Sequence, residues 1–382
     1  MKSNLYRDNK FSIITFKFKT IIFSMIVIAT LVFSLIINLG LSSENIQKTL
    51  SGIESENLFV QFVRAENHMF FSSDEAFAIP PISEILFELA TNIKPRDTRS
   101  FLGNELPGLN FYDTEIVVAG EGTDLSTLPY ESAPPLEVLL KEKEVIEEEL
   151  QNNFDNGDKK PLPNKEPDVF VYHTHNLESF LPLLKNTSKA NEAVSSDERA
   201  NVVALGSRLN QQLMGAGIGV EHNKTNINKK LLERKWDYTA SYELSNEVIQ
   251  EAVAENKNLK YFIDIHRDSA RKDVTTKVID GKSYAKLYFI VGKENENYEE
   301  NLEFVKKINT ELEKRFPGIS RGVFLKNRLD GNGVYNQDVS NRALLVEIGG
   351  VDNTLDELGR TTDAFADVFS DIYWEENGGE KE

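Results

Sequence analysis

The chain has 382 residues, with 43 Lys and Arg against 61 Asp and Glu, and a formal net charge of −18. So acidic a balance argues against nucleic acid and anionic lipid as partners. Cysteine is absent, which excludes disulfides, zinc–thiolate sites and cysteine nucleophiles, so any metal must be held by histidine and carboxylate.

The first predicted element is the charge-free apolar run Ile21 to Leu41, long enough to cross a bilayer as a helix of about 20 residues. Lys2, Arg7, Lys10, Lys17 and Lys19 against Asp8 give its front flank a net +4, and Glu44 opens its back flank. The positive-inside rule then places residues 1–19 in the cytoplasm and the rest of the chain, carrying −22, outside. A cleaved signal peptide is the competing reading. The apolar run exceeds a usual signal core, and no small-x-small cleavage site stands near Leu41-Ser42-Ser43. Residues 1–43 are therefore expected to form a cytoplasmic tail and a single membrane anchor.

Residues 44–165 read as an extracytoplasmic arm. Residues 82–90 have apolar positions at 82, 85, 86 and 89, the spacing of a short amphipathic helix. Prolines at 95, 107, 129, 134 and 135 punctuate the next stretch. Residues 136–151 read as a Glu/Leu/Lys helix, and a polar linker with Pro161, Pro163 and Pro167 closes the arm. Composition shifts to buried strand at Asp168, so a second domain is expected over 166–382.

That domain alternates β and α. Strands are expected at 169–173, 218–221, 261–265, 322–326 and 343–348. A hairpin is expected from Val274–Ile279 and Ala285–Val291 around Asp280-Gly281. Ser195 with Glu198 has the spacing of a capping box before a helix striped by Val202, Leu205, Leu209 and Leu213. Further helices are predicted at 238–254 and 298–316, and a last one after Thr354 with Glu357. The pattern predicts an α/β fold, a mostly parallel or mixed sheet with helices on both faces.

The chemistry gathers at strand ends. Two of only five histidines, His173 and His175, follow the run Val169-Phe170-Val171. His266 ends Tyr261-Phe262-Ile263-Asp264-Ile265, and Glu347 ends Ala343-Leu344-Leu345-Val346. Ligands collect at the carboxyl ends of parallel strands, and a catalytic zinc commonly takes three His, Asp or Glu ligands. His175 and His266 are the nitrogen donors, and either Glu198 or Glu178 completes the set. Glu347 is then placed to serve as general base. Each residue alone has a plainer reading: a lone strand-end histidine is more often structural, and Glu198 suits a helix N-terminus. His173 either orients a neighbour or points to the other face, and His68 and His222 read as surface residues. An unpaired carboxylate at Glu347 after an apolar strand is costly, and its company with two strand-end histidines tips the balance toward a metal.

Val169-Phe-Val-Tyr-His-Thr-His175, Ser196-Asp-Glu198-Arg-Ala-Asn201, Phe262-Ile-Asp-Ile-His266 and Leu344-Leu-Val-Glu347-Ile-Gly-Gly resemble, in that order, the zinc-dependent N-acetylmuramoyl-L-alanine amidases. The resemblance implies zinc held by His175, Glu198 and His266, with Glu347 as the catalytic glutamate. The amidases' Pro-Gly-His-Gly-Gly loop is replaced here by His-Thr-His-Asn, and segment 176–197 is longer than theirs. A narrower resemblance covers residues 80–375. The blocks Phe101–Gly108, Val118–Gly122, Tyr172–Phe180, Ile265–Asp268, Asn336–Asp338 and Arg342–Glu347 are similar to the stage II sporulation protein P family. That family implies a membrane-anchored peptidoglycan hydrolase that removes stem peptides and also cuts peptide cross-links. It implies action between mother cell and forespore, in septal thinning and engulfment. The implied partners are a lytic transglycosylase and a membrane scaffold protein. A non-catalytic wall-binding or scaffold protein of the same fold is the alternative.

Overall fold

The central strands of this chain form where β-branched and aromatic residues fill both faces of a run, as buried parallel strands require. The computed structural model describes residues 114–124, 127–128, 134–141, 143–150, 166–328 and 331–379. The apolar run Ile21–Leu41 and the amphipathic segment 82–90 lie outside these. Among the described residues no helix is long and apolar enough to cross a membrane.

The strands are β1 (Glu115–Ala119), β2 (Val169–Tyr172), β3 (Val220–His222), β4 (Tyr261–Asp268), β5 (Thr276–Ile279), β6 (Lys282–Ala285), β7 (Leu287–Gly292), β8 (Ser320–Lys326) and β9 (Ala343–Gly350). Seven of them make one sheet in the order β1-β8-β7-β9-β4-β2-β3. β3, β2, β4 and β9 run parallel. β7 and β8 run parallel to each other, β7 is antiparallel to β9, and β1 is antiparallel to β8. The sheet is therefore mixed, with a parallel half that carries the strand-end histidines. The five longer helices are α1 (Val202–Gly215), α2 (Ile227–Arg234), α3 (Ser241–Glu255), α4 (Tyr298–Arg315) and α5 (Leu355–Asn377).

Alternation along each strand sorts the two faces. Val169, Val171, Ile263, Ile265, Leu344, Val346 and Phe289 pack with α1, α4 and α5 through Leu205, Leu209, Ile308, Leu312, Phe365 and Phe369. Phe170, Tyr172 and Phe262 pack against α2 and α3 through Leu231, Leu244, Val248 and Ile249. Tyr288, Ile290, Phe324 and Leu345 extend that second face around Tyr242 and Tyr335. Helices thus cover both faces, as expected for an α/β sheet.

Several elements differ from the sequence reading, each for a local reason. The helix expected over 136–151 is reduced to two four-residue turns, Leu136–Leu139 and Glu147–Leu150, neither of which buries a side chain. Between them Val145 is extended and bridges Leu184, a pairing that a continuous helix would forbid. The hairpin is β5–β6, closed by Asp280 and Gly281 at positive φ, while the next run becomes β7 of the main sheet. Within the stretch read as arm, β1 supplies the sheet's edge strand, paired with β8.

The last helix follows the sequence closely. Thr354 Oγ1 accepts from Glu357 N, and Thr354 N donates to Glu357 Oε2 at 3.0 Å, so the expected capping box is complete. Thr354→Ala should lower unfolding stability by about 1 kcal/mol. Urea denaturation is the measurement, and the expected result is an earlier midpoint with unchanged slope.

Candidate metal centre

The site begins with a charge in the middle of a buried strand. Asp264 and His266, two apart on β4, point to the face covered by α2 and α3. Glu347 on β9 pairs in register with His266 and shares that face. β2 ends at Tyr172, and the loop beyond it turns back over the end of β4. Thr174 donates to the Asp264 carboxylate from its backbone N at 2.9 Å and from its hydroxyl at 2.6 Å. Glu178 N donates to the His175 carbonyl at 3.1 Å and closes a tight turn. The loop is sealed by bridges from Glu178 to Val194 and from Ser179 to Asn201.

These turns bring His175, Glu178 and His266 together. One ligand atom from each lies within 4.8 Å of the others, and all three are buried. His175 Nδ1 is 3.9 Å from one Glu178 oxygen, and His266 Nδ1 is 3.5 Å from the other. Behind His266, Nε2 lies 3.1 Å from Asp264 Oδ1, so the aspartate fixes the ring and leaves Nδ1 facing Glu178. Arg267 N donates to Glu178 Oε2 at 3.0 Å. The buried Arg267 guanidinium donates to the carbonyls of Ser179 and Ala193 and pins the loop from behind. Aromatic rings wall the histidines. Tyr238 stacks on His175 at 4.9 Å, and Tyr242 meets His175 edge-on at 5.4 Å and stacks on His266 at 6.3 Å. Asn336 in turn donates to Tyr242 O and Ser245 Oγ, bracing the start of α3.

The electrostatics match the geometry. Burial alone would depress His266, but the Asp264 and Glu178 carboxylates outweigh it and hold the imidazole well above its usual value. Burial alone would raise Glu178, but His266, then Arg267 and His175, outweigh it and hold the carboxyl below its usual range. Two imidazoles and a carboxylate, buried and convergent, with a carboxylate on the far nitrogen of one ring, form a donor set suited to a divalent transition metal such as zinc.

Glu198, expected as third ligand, is not brought to the histidines. Asn201, not Ser195, caps α1, accepting from Val203 N at 2.9 Å. Asn201 Nδ2 also donates to Ser195 O, so residues 195–200 form a turn ahead of the helix rather than its first turn. Glu198 stands there 54% exposed, 3.7 Å from Lys224 Nζ. Glu178, the alternative carboxylate, takes the place between the rings. Alternation sends His173 to the opposite face, where its Nε2 lies 2.9 Å from His222 Nε2 and its Nδ1 3.3 Å from Ile265 O. His222 is therefore part of a half-buried pair, not a free surface residue. Burial holds both imidazoles below their usual value, His173 down to about 4. α1 passes directly over the pair at Gly206, where a Cβ would come within 2.5 Å of His173 Nε2. Sequence reasoning missed Asp264 and Arg267, though an aspartate inside Tyr261–Ile265 was the signal that a buried partner awaited it.

A mixed α/β sheet with a buried His–Glu–His cluster, and a further carboxylate in register with His266 on the neighbouring strand, defines an α/β protein with a candidate metal centre. The profile of the stage II sporulation protein P (SpoIIP) family matches residues 96–370, and the chain belongs to that family. It is 46% identical over 329 residues to "Stage II sporulation protein P" of Bacillus subtilis (strain 168), covering 84% of this chain and 81% of that protein. Among solved structures, Cwp6 from Clostridium difficile aligns with a TM-score of 0.31 at 12% identity, over 54% of this chain and 29% of that one.

The cluster makes two testable demands. Glu178→Ala should remove bound metal and Glu198→Ala should not, as read by elemental analysis of the purified chain. The raised His266 value also fixes a pH dependence. The extra proton it holds near neutrality must leave when a metal binds, so affinity should rise with pH. Calorimetry in buffers of different ionisation enthalpy should show proton release on zinc binding. Without metal, His266 adds stability below the free imidazole value that fades as pH rises through the raised one. The Glu178 contribution is present above the free carboxyl value and is lost as pH falls.

Proposed function

We propose that the chain is a zinc-dependent peptidoglycan hydrolase that cleaves the amide between muramic acid and the stem peptide, and also peptide cross-links, during sporulation. The observation that carries this reading is the buried His175–Glu178–His266 cluster with Glu347 abreast of His266 on the neighbouring strand. Membership of the sporulation family supports the setting, septal thinning and engulfment.

His175, Glu178 and His266 would hold the metal, and a zinc bound there supplies Lewis acidity toward an amide carbonyl. The protein's own residues do the rest. Asp264 keeps His266 oriented, Arg267 keeps the Glu178 loop against β4, and Tyr242 and Tyr238 shield the rings from water. Glu347 faces the same side as His266 and acts as general base, taking a proton from the attacking water and passing it to the departing amine. Glu347→Gln should cut release of dye from labelled sacculi by roughly 10²–10⁴-fold, with metal content unchanged by elemental analysis. Full activity in that variant would remove Glu347 from the chemistry. An unsubstituted chain that binds sacculi yet releases no dye would favour the scaffold alternative.

The substrate lies outside the cytoplasm, and Ile21–Leu41 with its basic front flank supplies the tether. The hydrolase is then held in the membrane by one helix, facing the space between mother cell and forespore. Its partners there are a lytic transglycosylase and a membrane scaffold protein. Protease added to wall-stripped cells should digest the bulk of the chain and spare a small membrane fragment. A soluble product beginning near Ser42 would instead identify a signal peptide.

A further inference from the structure

The site edge of the sheet continues past Glu347. Glu347 pairs in register with His266 on one side and with Tyr288 of β7 on the other. Beyond Tyr288, at the start of β8, Arg321 holds its guanidinium carbon 4.8 Å from the centre of the Tyr288 ring. His266, Glu347, Tyr288 and Arg321 therefore stand in a row across four adjacent strands.

Arg321 is 2% exposed and joins three separate stretches of chain. Nη1 donates to the carboxylate of Asp268, two residues beyond His266 on β4. Nη2 donates to the carbonyl of Thr127 at 2.5 Å. Its own carbonyl accepts from Gly120 N at 3.1 Å and from the Thr123 hydroxyl at 2.7 Å. The upstream segment is held again by Lys286 Nζ, which donates to Glu121 O at 2.5 Å. The close approach is built into the backbone. Gly322 takes a φ of +119° that other residues rarely adopt, and a Cβ at Gly120 would run into the Ser320 carbonyl. From the other side, Ile116 and Leu128 pack on the cluster of Tyr242, Tyr288 and Tyr335, and Tyr242 stacks on His266.

We propose that Arg321 is a positioning residue of the Glu347 centre, and that through it the described residues 115–124 and 127–128 form the far flank of the substrate cleft. Arg321 acts through Asp268 and the Tyr288 ring rather than on the metal ligands. It neutralises a buried anion at the end of the ligand strand and seats the ring next to Glu347. Loss of the guanidinium leaves Asp268 buried without its cation and frees the flank. Small displacements of positioned groups lower turnover more than binding.

The kinetic arm of the test rests on the proposed hydrolase activity; the exchange arm does not. In the full-length chain, zinc addition should slow hydrogen exchange at the ligand loops and also at 115–124. In Arg321→Ala the protection should stay confined to the ligand loops, at unchanged metal content. On sacculi, Arg321→Ala should lose about 10- to 100-fold in kcat with little change in KM, and Arg321→Lys should recover part of it. Lys286→Met, which leaves Arg321 and Asp268 in place, should reproduce part of both effects. Zinc-dependent protection of 115–124 that survives Arg321→Ala would overturn the proposal, as would unchanged kcat in an active enzyme. If the unsubstituted chain hydrolyses nothing yet shows the protection that Arg321→Ala abolishes, the hydrolase reading fails and the coupling stands.

Discussion

A carboxylate with no exposed surface is tolerated only when its oxygens are occupied, and Asp264 meets that condition in a way that organises the site. Its oxygens take the backbone N and hydroxyl of Thr174 and lie against Nε2 of His266. One side chain thereby joins the exit of β2 to the middle of β4, two elements separated by about ninety residues of sequence. It also selects which nitrogen of His266 faces Glu178. The loop from His173 to Ser179 has little regular structure, so its placement depends on this anchor and on Arg267 behind it. The loop's other contacts, the Tyr238 and Tyr242 rings among them, follow from that placement.

Much of this was legible in the sequence, for identifiable reasons. The strands were visible because their residues are apolar on both faces, and the last helix because Thr354 and Glu357 carry a local capping signal. His175, His266 and Glu347 were visible because polar residues ending apolar runs are conspicuous. What failed was long-range. Ser195 and Glu198 have the spacing of a capping box, but Asn201 satisfies the helix end six residues later, and spacing cannot reveal which of two acceptable caps the tertiary fold prefers. The choice between Glu178 and Glu198 hangs on that difference. β1 was hidden for another reason. A five-residue edge strand is half solvated, and its pairing with β8 across some two hundred residues leaves no local trace.

The two faces of the sheet divide the work. One packs α1, α4 and α5 in an almost wholly apolar core, and the His173–His222 pair closes it near the strand ends. The other, under α2 and α3, carries Asp264, His266 and Glu347, while Arg267 braces the ligand loop from the opposite side of β4. Alternation carries His173 to the first face, and the turn after β2, held by Thr174 on Asp264, brings His175 to the second, so the two histidines, two residues apart, belong to different environments and different tasks.

The edge position of β1 has a mechanical consequence. A pull applied at Glu115 reaches the sheet through this short strand and its pairing with β8. Edge pairing yields at lower force than a sheet interior that is hydrogen-bonded on both sides. A load would peel β1 away and draw the Thr127 carbonyl from Arg321 while β2, β4 and β9 stayed intact. The strand can thus act as a fuse, sparing the folded core while registering a pull at one flank of the cleft.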